Sequence, residues 1–275
     1  MNDAVTRDPI VPEPSEERDC GGAHDPCLDY EDDVPEAEAT VADGEASMPG
    51  PAPESVEDKA NALETIFAPF ALKITLGDLE LRLIRDADFP AYAALLREDI
   101  FAPEFAEAMF PWLDAEPEDR IRGALQYQWG KRASLDPSSW ELPLGVFYRG
   151  ALIGSQSIVA TSFELSRTVE TGSWLTRAYQ GRGLGTLARQ AVVDFSFTHL
   201  KADRAESSAL VTNTPSLRVS RRLGYVDNGT QMVVEGGKAC LHQRVLVTPQ
   251  TFVRPDTPVQ VEGLTPDLIT LLGVG

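Results

Sequence analysis

The chain has 275 residues, the length of one domain with additional segments, and its hydrophobic content of 43% is sufficient for a folded core. Its net charge of −19, and the lack of any apolar run near the ~18–20 residues of a membrane span, argue against a nucleic-acid or membrane partner. An acidic N-terminus without an apolar signal region, together with only three cysteines, is typical of a cytoplasmic protein.

The first 60 residues differ in composition from the rest of the chain. They carry 18 of the 43 acidic residues, 3 of the 24 basic ones, eight of the twenty prolines and a single aromatic residue, Tyr30. Such a segment buries too little apolar surface to offset the conformational entropy of folding. We predict a disordered acidic tail over residues 1–60, which either solvates the protein or docks a partner. Cys20, His24 and Cys27 within it lack a fourth ligand at a matching spacing, so no metal is expected there.

The rest of the chain predicts a mixed α/β domain over residues 61–254 and a poorly specified tail over residues 255–275. Alternating apolar residues predict strands, and apolar residues three or four positions apart predict helices. In chain order these patterns predict a strand at 78–84, a helix beginning at Asp86, a helix at 117–133, a hairpin of strands 141–148 and 152–158, a strand at 168–175, a helix from Leu184, a strand at 204–211, a helix at 214–223, and a hairpin of strands 230–235 and 240–247.

A glycine-rich segment connects a predicted strand to the helix that follows it. Its sequence is Gln180-Gly181-Arg182-Gly183-Leu184-Gly185-Thr186. Such a turn presents unpaired amides at the positive end of the helix dipole, where a pyrophosphate can bind. The nucleoside-triphosphate loop requires a lysine that is missing here, and the dinucleotide fingerprint requires another glycine spacing. An acyl-CoA turn, Gln/Arg-x-x-Gly-x-Gly/Ala, fits Gln180, Gly183 and Gly185, and a glycine-rich connection without a ligand is the structural alternative.

A second motif follows in Asn213-Thr214-Pro215-Ser216 and Leu223-Gly224-Tyr225. It resembles the Asn-x-x-Ser…Leu-Gly-Phe/Tyr segment of the GCN5-related N-acetyltransferase (GNAT) superfamily. The run from Glu170 to Trp174 is similar to the Glu-x-Gly-x-Trp strand of the branch that acetylates the N-termini of ribosomal proteins. The resemblance extends over residues 79–248 and is specific within 170–225. It implies a mixed, mostly antiparallel, splayed sheet of about seven strands flanked by about four helices.

The resemblance implies acetyl-CoA as the cosubstrate, no metal, and a primary amine on a protein N-terminus or a small molecule as the acceptor. CoA would enter a cleft between the parallel strands at 168–175 and 204–211, with its pyrophosphate on the amides of 181–186. The implied CoA-binding residues are Leu175, Thr176, Gln180, Gly181, Arg182, Gly183, Leu184, Gly185, Thr186, Asn213 and Ser216. Arg182 is alternatively a solvated surface arginine, and Asn213 is alternatively a helix cap.

The resemblance also implies catalytic roles for Glu170 and Ser216. Glu170 would take a proton from the amine, directly or through water, unless it is a strand-end glutamate in an ion pair. Ser216 would donate a proton to the departing sulfur, although a first-turn serine is also common for structural reasons. Glu206 is a second, lower-ranked carboxylate on the next strand. Trp174 either lines the acceptor cleft or belongs to the core.

Two other functions stay open from the sequence. A non-catalytic acyl-CoA-binding module would not need an acid such as Glu170 in the cleft, and an interaction protein would act through the acidic tail. The aromatic segment 101–112 and the helix after it are expected to cover the acceptor. The expected assembly is a monomer or a homodimer, and no pattern assigns a role to His199 or His242.

Overall fold

The computed structural model describes residues 63–98, 100, 115–235 and 237–274, which belong to a compact unit spanning Pro53–Gly275. The predicted acidic tail, with Cys20, His24 and Cys27, and the aromatic segment 101–112 lie outside the described residues. Within the described ranges, no helix combines the length and the apolarity that a membrane crossing requires.

Among the described residues, a nine-stranded sheet has the order β7-β8-β6-β5-β4-β3-β2-β1-β9. The strands are β1 (Lys73–Leu76), β2 (Leu79–Leu83), β3 (Ser139–Tyr148), β4 (Ala151–Thr161), β5 (Thr168–Leu175), β6 (Arg204–Leu210), β7 (Val226–Glu235), β8 (Lys238–Val247) and β9 (Gln260–Glu262). Neighbouring strands are antiparallel, except for the parallel pair β5 and β6. The predicted mixed, mostly antiparallel sheet is therefore confirmed, with β1 and β9 in addition to the seven predicted strands.

Helices cover both faces of this sheet. They are α1 (Phe89–Arg97), α2 (Pro117–Ala133), α3 (Phe163–Ser166), α4 (Leu184–Thr198), α5 (Thr214–Arg222) and α6 (Pro266–Leu271). Successive residues of a strand point to opposite faces. Val169 and Leu175 of β5 accordingly pack in the larger core with α4, whereas Trp174 packs against a smaller core built by α1 and α2. The sheet therefore separates α4 from the α1–α2 pair.

The parallel strands β5 and β6 separate after a short paired region. Backbone pairing covers three residue pairs and ends at Glu170↔Glu206, although both strands continue for at least four more residues. At the point of divergence the Ser207 hydroxyl donates to the Thr171 carbonyl oxygen at 2.8 Å, so a side chain replaces the next backbone bond. The strands thus form the cleft that was predicted between them.

The C-terminal segment is an ordered part of the sheet and core, which corrects the prediction of a poorly specified tail. β9 pairs with β1, and the side chains of Leu268 and Leu272 are fully buried. The indole N–H of Trp140 donates to the Leu272 carbonyl oxygen at 3.0 Å. The sequence did not predict this because a three-residue strand and a six-residue helix are too short to show a periodicity.

Leu268→Ala is expected to lower the free energy of unfolding by about 2–5 kcal/mol, because it deletes buried methyl groups and leaves a cavity. Urea unfolding measures the effect, and Asp267→Ala, an exposed change in the same helix, is the control that should cost less than about 1 kcal/mol. Equal stability of the Leu268→Ala variant and the unmodified protein would show that the C-terminal helix is not part of the cooperative core.

Candidate functional site

The gap between β5 and β6 lies between two cavities. The wide cavity, of about 560 Å³, lies on the side of α1 and α2 and has Tyr92, Tyr127 and Gly172 in its wall. The loop cavity, of about 350 Å³, lies beside the glycine-rich segment and the first turn of α5. The two cavities share the wall residues Ser173, Trp174, Arg189, Asn213 and Ser216, so they meet at the gap.

The glycine-rich segment turns the chain from β5 into α4 at the edge of the loop cavity. Gly181 and Gly183 have φ values of +71° and +81°, which glycine adopts without strain. A Cβ atom at either position would meet no atom within 4 Å, so the backbone there is open. Gly183 directly precedes α4, whose first two amides, of Leu184 and Gly185, have no acceptor inside the helix and lie at the positive end of its dipole, whereas the Thr186 amide donates to the Gly183 carbonyl oxygen. This arrangement can hold a pyrophosphate without a metal ion.

Gln180 fastens the glycine-rich segment to the neighbouring structure. Its side-chain amide donates to the carbonyl oxygen of Leu175 at 2.7 Å and to that of Ile100 at 2.8 Å. These bonds join the loop to the end of β5 and to Ile100, which lies shortly after α1 in the chain. Gln180 therefore positions the glycines as well as lining the loop cavity.

Most of the predicted CoA-binding residues lie in the wall of the loop cavity, namely Leu175, Gln180, Gly181, Gly183, Gly185, Thr186, Asn213 and Ser216. Thr176, Leu184 and Arg182 are not wall residues. Thr176 is fully buried against β4, and Leu184 packs in the larger core. The Arg182 guanidinium lies over the rings of Tyr148 and Tyr179, at 5.5 and 5.3 Å from their centroids. The side chains of these three residues thus support the loop from outside the cavity.

Asn213 and Ser216 form the start of α5, and both line the two cavities. The side-chain oxygen of Asn213 accepts the backbone N–H of Ser216 at 3.1 Å, so Asn213 is the helix cap that the sequence allowed as an alternative. The cap uses the backbone of Ser216 and not its hydroxyl. The hydroxyl is therefore placed at the junction without being required for the start of the helix.

Glu170 lies on the face of β5 that bounds the wide cavity, two residues before Gly172, but it is not itself a wall residue. Its side chain is exposed, and within the described residues it makes no ion pair. The carboxylate of Glu206, its partner in register on β6, accepts from Arg244 at 3.0 Å and lies 3.6 Å from Arg204. Among the described residues, the ion-paired glutamate is therefore Glu206 and not Glu170, for which the sequence had left this alternative open.

Aromatic side chains form part of the wide cavity. Trp174 stacks on Tyr92 with ring centroids 6.3 Å apart, so it both lines the cavity and belongs to the smaller core. Burial raises the pKa of Tyr92 to about 12. Burial also raises the pKa of Tyr127, whose hydroxyl donates to Glu141. Both phenols therefore stay protonated near neutral pH and serve as hydrogen-bond donors rather than bases.

His242 and Glu235 form a polar pair in the wall of the wide cavity that the sequence did not predict. His242 Nε2 lies 3.3 Å from Glu235 Oε2, and only 8% of the histidine is exposed. Its Nδ1 is buried without a hydrogen-bond partner among the described residues. The two residues lie on different strands, β8 and β7, so their proximity depends on the register of that hairpin. The pair is a second possible proton acceptor beside Glu170.

Arg189 was also missed, and it lies at the junction of the two cavities. It is 4% exposed, and its guanidinium donates to Ser220 Oγ at 2.9 Å and to Ser173 Oγ at 3.2 Å. Its Nε is buried without a partner in the described part of the chain. Burial lowers the pKa of Arg189. The available signal was a charged residue on the buried face of α4, between Ala188 and Ala191.

Metal-binding side chains are not clustered in the described ranges, where no group of three or more His, Cys, Asp or Glu residues could hold an ion. The groups near the junction include the amides of the glycine-rich segment, the hydroxyls of Ser173 and Ser216 and the charge of Arg189. Glu235 lies in the wall of the wide cavity, and Glu170 lies two residues from its wall residue Gly172. These groups suit the binding of an anion on one side and a cationic amine on the other.

A parallel strand pair that splays beside a glycine-rich turn and a capped helix defines the GNAT fold that the sequence predicted. The chain belongs to the GNAT family, because the family model described as "Acetyltransferase (GNAT) domain" matches residues 78–226, more than half of the chain. The match begins just before β2 and ends at the start of β7, so it contains both cavities' shared wall residues.

Known proteins of this family resemble the chain in sequence and in structure. YdaF of Bacillus subtilis (strain 168), whose name assigns it a ribosomal N-acetyltransferase activity, is 29% identical over 85 residues, which cover 31% of this chain and 46% of YdaF. The chain thus spans about half the length of this relative. The structure of Mycobacterium smegmatis RimJ in complex with CoA-disulfide has a TM-score of 0.55 at 23% identity and covers 66% of this chain and 86% of RimJ. The structure of the Microcin C7 self immunity acetyltransferase MccE in complex with acetyl-CoA and AMP has a TM-score of 0.52 at 16% identity. It covers 63% of this chain and 93% of MccE.

Proposed function

We propose that the chain transfers the acetyl group of acetyl-CoA to a primary amine, carried by a protein N-terminus or by a small molecule. The observation that carries this proposal is the meeting of the two cavities at the gap between β5 and β6. A donor that enters along the loop cavity and an amine that enters along the wide cavity would come together there, which is the proximity that direct transfer requires.

Acetyl-CoA as the donor is supported by the loop cavity. The open amides at Gly181 and Gly183 suit its pyrophosphate, and Arg218 and Arg222 in the same wall add positive charge for its phosphates. RimJ and MccE, whose folds are similar, are named as complexes with CoA-disulfide and with acetyl-CoA and AMP. The pantetheine arm would then run beside β5 toward Ser173.

An amine as the acceptor is supported by the charges of the wide cavity. Asp119 and Glu235 are in its wall, and Glu170 lies two residues from the wall residue Gly172. Carboxylates of this kind attract an ammonium group, and a carboxylate in reach of the amine can accept its proton. YdaF is named for a ribosomal N-acetyltransferase activity, which supports an amine of a ribosomal component as one class of acceptor.

The proposed reaction is direct attack of the neutral amine on the thioester carbon. Glu170 accepts the ammonium proton, directly or through water, since it has no ion pair among the described residues and lies next to the cavity. The nitrogen forms a bond to the carbonyl carbon, the C–S bond breaks, and its electron pair stays on the sulfur. The second proton of the attacking nitrogen passes through the Ser216 hydroxyl, which accepts it as it gives its own proton to that sulfur.

Ser216→Ala is expected to lower kcat about 100-fold without changing the Kd for CoA, because general acid assistance acts mainly in the transition state. The backbone N–H that Asn213 caps is unchanged in this variant. Thr214→Ala, at an exposed position in the same helical turn, is the control and should keep the original rate. A Ser216→Ala enzyme with an undiminished kcat would remove the hydroxyl from the mechanism.

The proposed function is tested with purified full-length protein, acetyl-CoA and a panel of amines that includes peptides with free N-termini. Thiol release reports turnover, and calorimetry reports CoA binding. Turnover with at least one amine is expected. A protein that does not bind CoA would refute the proposal, whereas binding without turnover on any amine would favour a non-catalytic acyl-CoA-binding module of the same fold.

A further inference from the structure

Arg189 is a buried cation that has no counter-ion within the described part of the chain. Among the described residues no carboxylate pairs with it, and its partners are the neutral hydroxyls of Ser173 and Ser220. Burial lowers its pKa, yet an arginine keeps its proton near neutral pH. Removal of a guanidinium from water carries a large desolvation cost that two hydroxyls offset only in part. An anion that binds beside the guanidinium in the complex with substrate would offset this cost.

The position of Arg189 limits which anion can bind beside its guanidinium. The residue belongs to the walls of both cavities, together with Ser173 and Ser216. In the proposed function this junction is where the thioester lies and the C–S bond breaks. The phosphates of CoA would lie at the other end of the loop cavity, near Gly181 and Gly183, and are therefore not the partner of Arg189.

We propose that Arg189 stabilises the negative charge that forms on the CoA sulfur as the acetyl group leaves. This inference rests on the proposed function and adds a catalytic group to it. When the amine nitrogen bonds to the carbonyl carbon, the electron pair of the C–S bond passes to the sulfur, and the guanidinium lies beside the resulting thiolate. The first proton of the ammonium group has gone to Glu170, and the second passes through the Ser216 hydroxyl, in the same wall, to the sulfur.

A guanidinium is suited to this task because it is charged in every step and needs no proton transfer. Fixed charges in a site closed to water stabilise developing anions more strongly than solvent does. The other groups nearby do not supply this charge. Burial raises the pKa of Tyr225, so its hydroxyl stays neutral, and the Ser173 and Ser220 hydroxyls carry no charge. Arg189 also interacts with Tyr225 electrostatically.

The remaining charged groups of the two cavities lie on other elements. Arg218 and Arg222 of α5 line only the loop cavity, and the wide cavity has Asp119 and Arg120 of α2 and the pair of Glu235 and His242. Arg189 is the charged residue that is common to both walls. The test must therefore separate Arg189 from the loop-cavity arginines, and Arg218 provides that comparison.

The direct test measures the thiol pKa of CoA bound to the protein, which needs no knowledge of the acceptor. The free thiol of CoA is bound at saturating concentration, and its thiolate is followed by ultraviolet absorbance as pH rises. In the unmodified protein the bound thiol is expected to have a pKa lowered by about one unit or more, as for thiols beside arginine. Arg189→Gln should abolish this shift, and Arg189→Lys should keep most of it. With an active amine, Arg189→Gln should also lower kcat about 100-fold.

Two controls accompany this measurement. Arg218→Gln is expected to weaken CoA binding but to leave the thiol pKa of bound CoA lowered. The Arg189→Gln protein should unfold at a temperature no lower than that of the unmodified protein, because a buried charge without a counter-ion is removed. Equal thiol pKa values in the unmodified and Arg189→Gln complexes would overturn the inference, whereas a complete lack of CoA binding by the unmodified protein would refute the proposed function itself.

A further comparison distinguishes a thiolate from an anion carried by the donor. Succinyl-CoA and acetyl-CoA are bound in parallel to the unmodified protein and to Arg189→Gln. If Arg189 binds a carboxylate on the acyl chain, the variant loses affinity for succinyl-CoA alone and the thiol pKa does not change, which overturns the thiolate assignment. The thiolate assignment is supported if Arg189→Gln changes the affinity for both donors equally and also abolishes the lowering of the thiol pKa of bound CoA.

Discussion

Glu170→Gln is expected to lower kcat about 100-fold or more while the Kd for CoA stays unchanged, because the variant cannot take the proton of the attacking amine. The carboxylate makes no ion pair within the described part of the chain, so its replacement by an amide of the same shape breaks no ion pair. Steady-state kinetics with a saturating amine and calorimetry with CoA measure the two quantities. The loss should be smaller at high pH, where more of the acceptor is already neutral.

Two comparison variants show whether the proton goes to Glu170. Glu206→Gln changes the neighbouring carboxylate in register, which is held by Arg244, and is expected to reduce stability more than turnover. His242→Gln changes the other possible proton acceptor in the wide cavity. If His242→Gln lowers kcat more than Glu170→Gln does, the pair of His242 and Glu235 is the base, and the assignment to Glu170 is wrong.

Gly183→Val is expected to weaken CoA binding about 100-fold or more. Gly183 has a φ of +81°, and its Cβ position faces open space at the edge of the loop cavity, so a branched side chain would occupy the place of the pyrophosphate. Loss of one or two charge-assisted hydrogen bonds, at about 1.5–3 kcal/mol each, corresponds to this change in affinity. Calorimetry with CoA measures it directly.

Gly77→Val is the matched control for backbone strain. Gly77 has a φ of +58° and an equally open Cβ position, but it lies in the turn between β1 and β2, away from both cavities. Both variants should lose about 1–2 kcal/mol of stability, because both force a branched residue into the left-handed region. Only Gly183→Val should lose CoA binding, and normal affinity in that variant would contradict the placement of the pyrophosphate.

Hairpins and long helices were predictable from the sequence because their patterns are local. The strand β5 has the predicted bounds Thr168–Leu175, and α2 has the predicted bounds Pro117–Ala133. β1, β9 and α6 were not predicted, since elements of four, three and six residues carry too few apolar positions to define a period. Their structure comes from pairing with distant parts of the chain, which no local pattern reveals.

The residues of the candidate site also fall into those that local sequence patterns predict and those that they do not. The glycine-rich segment and Asn213 were predictable because turn and cap chemistry depends on adjacent residues. Arg189, Glu235 and His242 were not, because each acquires its meaning from residues on other elements that the fold brings near. Glu170 was recognised through its motif, but the sequence could not show that, among the described residues, Arg244 of β8 contacts Glu206 and not Glu170.

The pairing of β1 with β9 has a consequence for how the protein is made. It joins residues more than 180 positions apart in the chain, so β1 has no partner on its outer side until residues 260–262 have been made and have left the ribosome. Contacts between such distant residues form late, because closing a long loop costs chain entropy before any contact forms. An unpaired strand edge can meanwhile recruit other chains. We therefore expect association between newly made chains to fall once β9, a strand of three residues, covers β1 at the side of the sheet opposite the β7–β8 hairpin.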